Sequence, residues 1–180
     1  MKNSFRLNTV TNIDFVPENS SLELIKATKE YQKIWKKEGK RIIGKMEAIS
    51  GLNFGEKEIK AIVFEGVSHS GRANVSPMKL RASYQNDLKK AALIHELGHR
   101  LLSGHGVKSK GLSSHQILYL ILYDIWRDLY GKEFADQQVE IESRRKNPVA
   151  PYRESWQWAL SKSRVERKKA FAQIIKEIAG

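Results

Sequence analysis

The chain has 180 residues, 41% hydrophobic and 29% charged, with 32 Lys+Arg against 20 Asp+Glu for a net charge of +12; this supports one domain with a real core, or one with an appended helical segment, and favours acidic partners, nucleic acid or anionic surfaces. With no cysteine, a disulfide framework and a thiolate metal site are excluded. No apolar run is long enough to span a membrane, since the longest, at 117–126, is broken by Asp124, and the expectation is a soluble, cytoplasmic protein.

Residues 1–20 show no sustained period and end in Pro17-Glu18-Asn19, which predicts an extended arm or a short edge strand. Ser20 with Glu23 has the spacing of a capping box, and Leu24, Ile25, Thr28, Tyr31 and Trp35 recur at helical intervals. Ile42, Ile43, Met46 and Ile49 carry that period past Gly39 to Gly51, with the lysines as the wet face. The run at 57–67, KEIKAIVFEGV, reads as a strand buried on both faces. After a loop at 68–77, Met78, Leu80 and Ala82 alternate with Lys79, Arg81 and Ser83, the pattern of a half-buried edge strand. Such an edge either pairs with an extended peptide or is guarded by its own Lys79 and Arg81.

The next stretch, AALIHELGHRLLSG at 91–104, holds the chemistry. Asn86 or Asp87 can cap it and Gly104 can end it. Residues four apart share one face of a helix, so His95 and His99 aim two imidazoles at one point. Imidazole nitrogens are common Zn²⁺ ligands, and a catalytic zinc usually keeps three protein ligands and a water. Glu96 lies about 100° round the helix, placed to act as general base on that water rather than as a ligand. Zinc lowers the pKa of its water to about 7, so this array has the parts for peptide-bond hydrolysis.

Further on, 115–130 places Leu118, Ile121, Leu122, Ile125 and Leu129 on one side of a helix. A following helix, 133–145, sets Glu133, Asp136 and Glu140 on a common face. Beyond Pro148 and Pro151, Trp156, Trp158 and Leu160 precede a last helix opened by a second capping-box pair, Ser163 and Glu166. Val165, Phe171, Ile174, Ile175 and Ile178 form its apolar stripe.

The third ligand decides the branch of zinc peptidase. His105 stands where the metzincin pattern HExxHxxGxxH has its last histidine, but Leu102 occupies the glycine position and no methionine follows Met78. With HELGH and an acidic residue on a later helix, the chain resembles the gluzincins, whose third ligand is a glutamate. That resemblance implies Glu133, in Gly131-Lys132-Glu133-Phe134-Ala135-Asp136, as the third ligand, although the usual acidic residue four positions on is Gln137 here and Asp136 is three on. Glu140, Asp124, Asp128 and His105 stay open as alternatives. In its order of elements, residues 21–146 resemble the catalytic core of the minigluzincins. This implies a small sheet whose edge strand binds substrate antiparallel, and a C-terminal segment, 147–180, in which Trp156 and Trp158 either block the cleft or fill a core groove.

Tyr119, Tyr123, Tyr130, His69 and His115 are the candidates for stabilising an oxyanion. Neither a phosphate loop nor a nucleophile elbow occurs. The expectation is thus an α+β, zincin-like zinc metallopeptidase acting on a peptide or protein: one Zn²⁺ on His95, His99 and Glu133, with Glu96 as base. The rival from another class is a non-enzymatic basic domain binding nucleic acid or protein, in which Arg144, Arg145, Lys146, Arg164, Arg167, Lys168 and Lys169 contact phosphate. For the peptidase, only weak, nonspecific nucleic-acid binding is expected.

Overall fold

A computed structural model of the chain, describing residues 11–108, 111–146 and 151–179, is an α+β fold. In chain order it comprises β1 (Asn12–Pro17), α1 (Leu22–Ser50), β2 (Glu58–Phe64), β3 (Met78–Arg81), α2 (Asn86–Gly104), α3 (Ser114–Tyr130), α4 (Lys132–Ser143), α5 (Tyr152–Leu160) and α6 (Arg164–Ala179). The cap of α1 is Ser21, one residue later than expected, with its Oγ accepting from the Leu24 N–H at 3.3 Å. The helix runs unbroken through Gly39, where a Cβ would lie 2.7 Å from the Trp35 ring; the missing side chain makes room for that indole. Gly51, at φ 73°, closes the helix by donating to Glu47, a left-handed end that glycine adopts at least cost.

The sheet is parallel throughout, ordered β1-β2-β3 with Asn12 opposite Glu58 and Ala61 opposite Met78. β1 is the expected edge strand; the arm at 1–10 lies outside the described residues. The helix α1 is the crossover from β1 to β2, as parallel pairing requires, whereas β2 reaches β3 through a loop at 65–77. Only one face of β2 is fully covered: Ile59, Ala61 and Val63 are buried while Glu58 and Lys60 are exposed. This corrects the expectation of burial on both faces, and the reason lies in the open face, where Lys79 Nζ sits 4.9 Å from the Phe64 ring centroid.

β3 buries Met78 and Leu80 as its alternation predicts. Its outer edge is not open to a peptide. The Lys79 N–H and C=O exchange hydrogen bonds with His69 (2.9 and 3.0 Å), Arg81 N–H donates to Ser68 Oγ (3.0 Å), and Arg81 C=O accepts from Tyr31 (2.9 Å). The chain's own loop thus pairs with the outer edge of β3 at His69.

That loop is pinned from α2. Arg100, 3% exposed, forks onto Glu56 at 2.7 Å through both Nε and Nη2, and its Nη1 donates to the carbonyls of Ser70 and Ser76. Glu56 also accepts from Asn74 N–H at 2.7 Å. Removing one partner of a buried pair strands the other charge. Arg100→Met is therefore expected to cost about 3–5 kcal/mol in urea unfolding, and adding Glu56→Gln to recover part of that loss.

α3 is the hub. Residues 117–126 are buried without interruption, so the helix is apolar all round rather than on one side, as befits a helix packed on several flanks. It contacts α1, α2, α4, α5 and α6. Trp156, Ala159, Phe171 and Ile174 of the two last helices join the same core. Arg167 forks onto buried Asp124 (2.9 and 3.0 Å) and Arg164 onto Asp128 (2.8 and 2.9 Å). Ser163 and Glu166 cap α6 reciprocally, as their spacing predicts; Val165, expected in its buried stripe, is 62% exposed. Among the described residues no helix is long and apolar enough to cross a membrane.

Candidate metal centre

α2 begins after Gln85, which makes no side-chain cap, so neither Asn86 nor Asp87 serves as the cap. The helix is buried nearly all round from Ala91 to Leu102. At Gly98 a Cβ would lie 2.5 Å from Leu118 Cδ1, so the glycine between the two histidines is what lets α3 come close. α3 opens with a capping box: Ser113 Oγ accepts from Gln116 N–H at 3.1 Å, and Gln116 accepts from Ser113 N–H at 2.9 Å. This fixed start sets His115 against the α2 pair.

His95 Nε2 lies 3.1 Å from His99 Nε2, which lies 3.4 Å from His115 Nε2. The ligand-capable atoms of the three residues all fall within 4.8 Å of one another. Two nitrogens on a tetrahedral Zn²⁺, each about 2.0–2.1 Å from it, stand about 3.3–3.4 Å apart, so the spacing suits that ion.

Protonation points the same way. Glu142, 4% exposed, accepts from His95 Nδ1 (2.8 Å), the Tyr119 hydroxyl (2.9 Å) and the Trp156 indole N–H (3.1 Å). Burial alone would raise the Glu142 pKa, but the charge and hydrogen bond of His95, the charge of Arg145 and the Tyr119 hydroxyl outweigh it and hold the carboxyl down to about 2. With its Nδ1–H given to Glu142, His95 turns its Nε2 lone pair toward the other two imidazoles. Burial and neighbouring imidazoles lower His99 to about 2, and burial with the charge on His95 lowers His115 to about 4, so both stay neutral. His95 is raised, because Glu142 overcomes the effect of burial. Three imidazoles converging at these distances form a donor set that suits a cation. Glu142→Gln is expected to weaken zinc binding by about 10–100-fold, as read by competition with a chromophoric chelator.

Glu96 is 6% exposed, and burial lifts its pKa to about 7, against the opposing pull of His95. Among the described residues no hydrogen-bond donor holds its carboxylate, in contrast to the three on Glu142. It is a base free to take a proton near neutrality.

Of the expected ligands, His95 and His99 come together; Glu133 does not join them. The buried stripe of α4 is Ala135, Gln138 and Glu142, which turns the whole acidic face of Glu133, Asp136 and Glu140 to solvent. Glu140 pairs with Arg144 and Asp136 with Lys132. Asp124 and Asp128 are committed to Arg167 and Arg164, and His105 bonds the Asn53 carbonyl at 2.7 Å. Sequence reasoning missed Glu142 altogether and weighed His115 only as an oxyanion group. A glutamate in step with Ala135 and Gln138, and a histidine beside a capping box, were the available signals.

Of the other oxyanion candidates, Tyr119 stays at the centre, with its ring centroid 5.6 Å from that of His115, and the remaining three are engaged elsewhere. Tyr119 serves Glu142, Tyr123 donates to Asp136 at 2.8 Å, Tyr130 packs on Phe134, and His69 covers β3. Tyr152, not singled out from sequence, lies at the site: its ring centroid is 4.6 Å from that of His115. Trp156 is 1% exposed and stacks on Tyr119 at 3.6 Å, so this tryptophan fills a core groove. Of the basic residues expected to contact phosphate, Arg144, Arg145, Arg164 and Arg167 are in ion pairs. Comparison of the chain with protein-family models, with curated proteins and with solved structures returned no match.

Proposed function

We propose that the chain is a zincin-like, zinc-dependent peptidase whose metal is held by His95, His99 and His115, departing from the gluzincins in having a histidine as third ligand. The observation that carries this reading is the convergence of three Nε2 atoms beside a buried glutamate that no donor restrains among the described residues. When bound there, zinc supplies a Lewis acid that polarises a carbonyl and makes a water molecule acidic near neutral pH.

The chain's own residues do the remainder. Glu142 orients His95 by its Nδ1–H and holds it in the tautomer that leaves Nε2 free. Tyr119 and Trp156 keep Glu142 in place. Glu96 accepts the proton of the attacking water, and its pKa of about 7 lets it return that proton to the leaving amine. The test is cleavage of an unstructured polypeptide by the zinc-loaded chain, abolished by a chelator and restored by zinc. Absence of cleavage in a chain that retains one zinc would count against the reading.

A further inference from the structure

Building on the peptidase reading, we propose that Arg145 is a receptor for a carboxylate on the substrate, so that the site selects peptides carrying one close to the scissile bond. Arg145 follows the end of α4 with its side chain 30% exposed. Its Nη1 lies 3.8 Å from Glu142 Oε1, its Nη2 3.5 Å from the Tyr84 hydroxyl, and its Cζ 5.7 Å from the Tyr152 ring centroid. The guanidinium is thus fixed at the rim of the centre by two phenols and the carboxylate that orients His95.

These contacts are long. A separation of 3.8 Å is beyond a hydrogen bond and 3.5 Å is at its limit. Two more deeply buried arginines are engaged quite differently: Arg100 forks onto Glu56 at 2.7 Å, and Arg167 onto Asp124 at 2.9 and 3.0 Å. Arg145 has no such fork among the described residues. A planar, permanently charged group held this way matches a carboxylate, which it can bind through two parallel N–H···O bonds. Tyr152 packs against His115 and Arg145 alike, and Glu142 faces both His95 and Arg145, which sets the guanidinium beside the ligand cluster without making it part of it. What it binds is therefore a neighbouring carboxylate of the substrate rather than the carbonyl under attack. Two sources share this chemistry: the terminal α-carboxylate of a peptide and an Asp or Glu side chain.

The experiment measures binding first, on the zinc-loaded Glu96→Gln chain, by fluorescence anisotropy with labelled peptides. One pair differs only in a C-terminal acid or amide, the other only in Glu or Gln beside the central bond. The carboxylate form of at least one pair is expected to bind about 10- to 100-fold more tightly, the range for charge-assisted hydrogen bonding. Arg145→Met collapses that ratio toward unity, Arg145→Lys keeps only part of it, and Arg144→Met, at an exposed neighbour, leaves it intact. A preference in the first pair assigns the α-carboxylate, and one in the second the side chain. Equal binding of both forms, or a ratio that survives Arg145→Met, overturns the proposal; if that variant does not fold, Arg145→Lys decides by the same criterion. Cleavage without carboxylate preference sinks this proposal alone, whereas carboxylate binding through Arg145 in an active-sequence chain that cleaves nothing sinks only the peptidase reading.

Discussion

Glu96→Gln is expected to keep the zinc and the fold while lowering peptide hydrolysis by about 10²–10⁴-fold, the range for loss of a general base. The separation of effects follows from geometry. The Nε2 atoms that converge belong to His95, His99 and His115, so no ligand is lost. An amide of the same shape avoids leaving a cavity where Glu96 is 6% exposed. Because burial already raises Glu96 to about 7, neutralising it relieves a buried charge, and the thermal transition is expected to hold or rise slightly. Elemental analysis, a melting curve and the rate on an unstructured polypeptide measure all three. Loss of zinc in this variant would make Glu96 a ligand instead of a base.

The second large effect belongs to His115. Removing a ligand costs more than the 10–100-fold typical of an outer-shell partner, so His115→Ala is expected to lower zinc affinity by more than about 100-fold, well beyond Glu142→Gln. Glu133→Gln should change neither metal content nor rate, since Glu133 is exposed in the first turn of α4. Competition with a chelator of known affinity ranks the three variants. If Glu133→Gln sheds the metal and His115→Ala retains it, the centre is a glutamate-type site after all.

What could be read from sequence was what local spacing determines. HELGH on a helix places His95 and His99 together, and alternation at 78–83 places Met78 and Leu80 inward; both depend only on backbone geometry. The orientation of α4 was not local. Glu133, Asp136 and Glu140 do share a face, but which face turns inward is set by packing on α3, and a buried Gln138 gave no hydrophobic cue. His115 joins the site because Gly98 admits α3 beside α2, a tertiary contact across sixteen residues of sequence. The closed edge of β3 likewise depends on a loop folding back to His69, which no strand pattern announces. For the same reason local pattern left two places open for Trp156, the cleft or a core groove, and did not show it as a donor to Glu142.

The most direct measurement of the central claim is X-ray absorption at the zinc edge on the wild-type chain loaded with one equivalent of metal. The three-histidine site proposed above predicts three imidazole nitrogens at about 2.0–2.1 Å with one further oxygen from water, and loss of one imidazole in His115→Ala. A first shell of two imidazoles and a carboxylate, unchanged by that substitution, would contradict it.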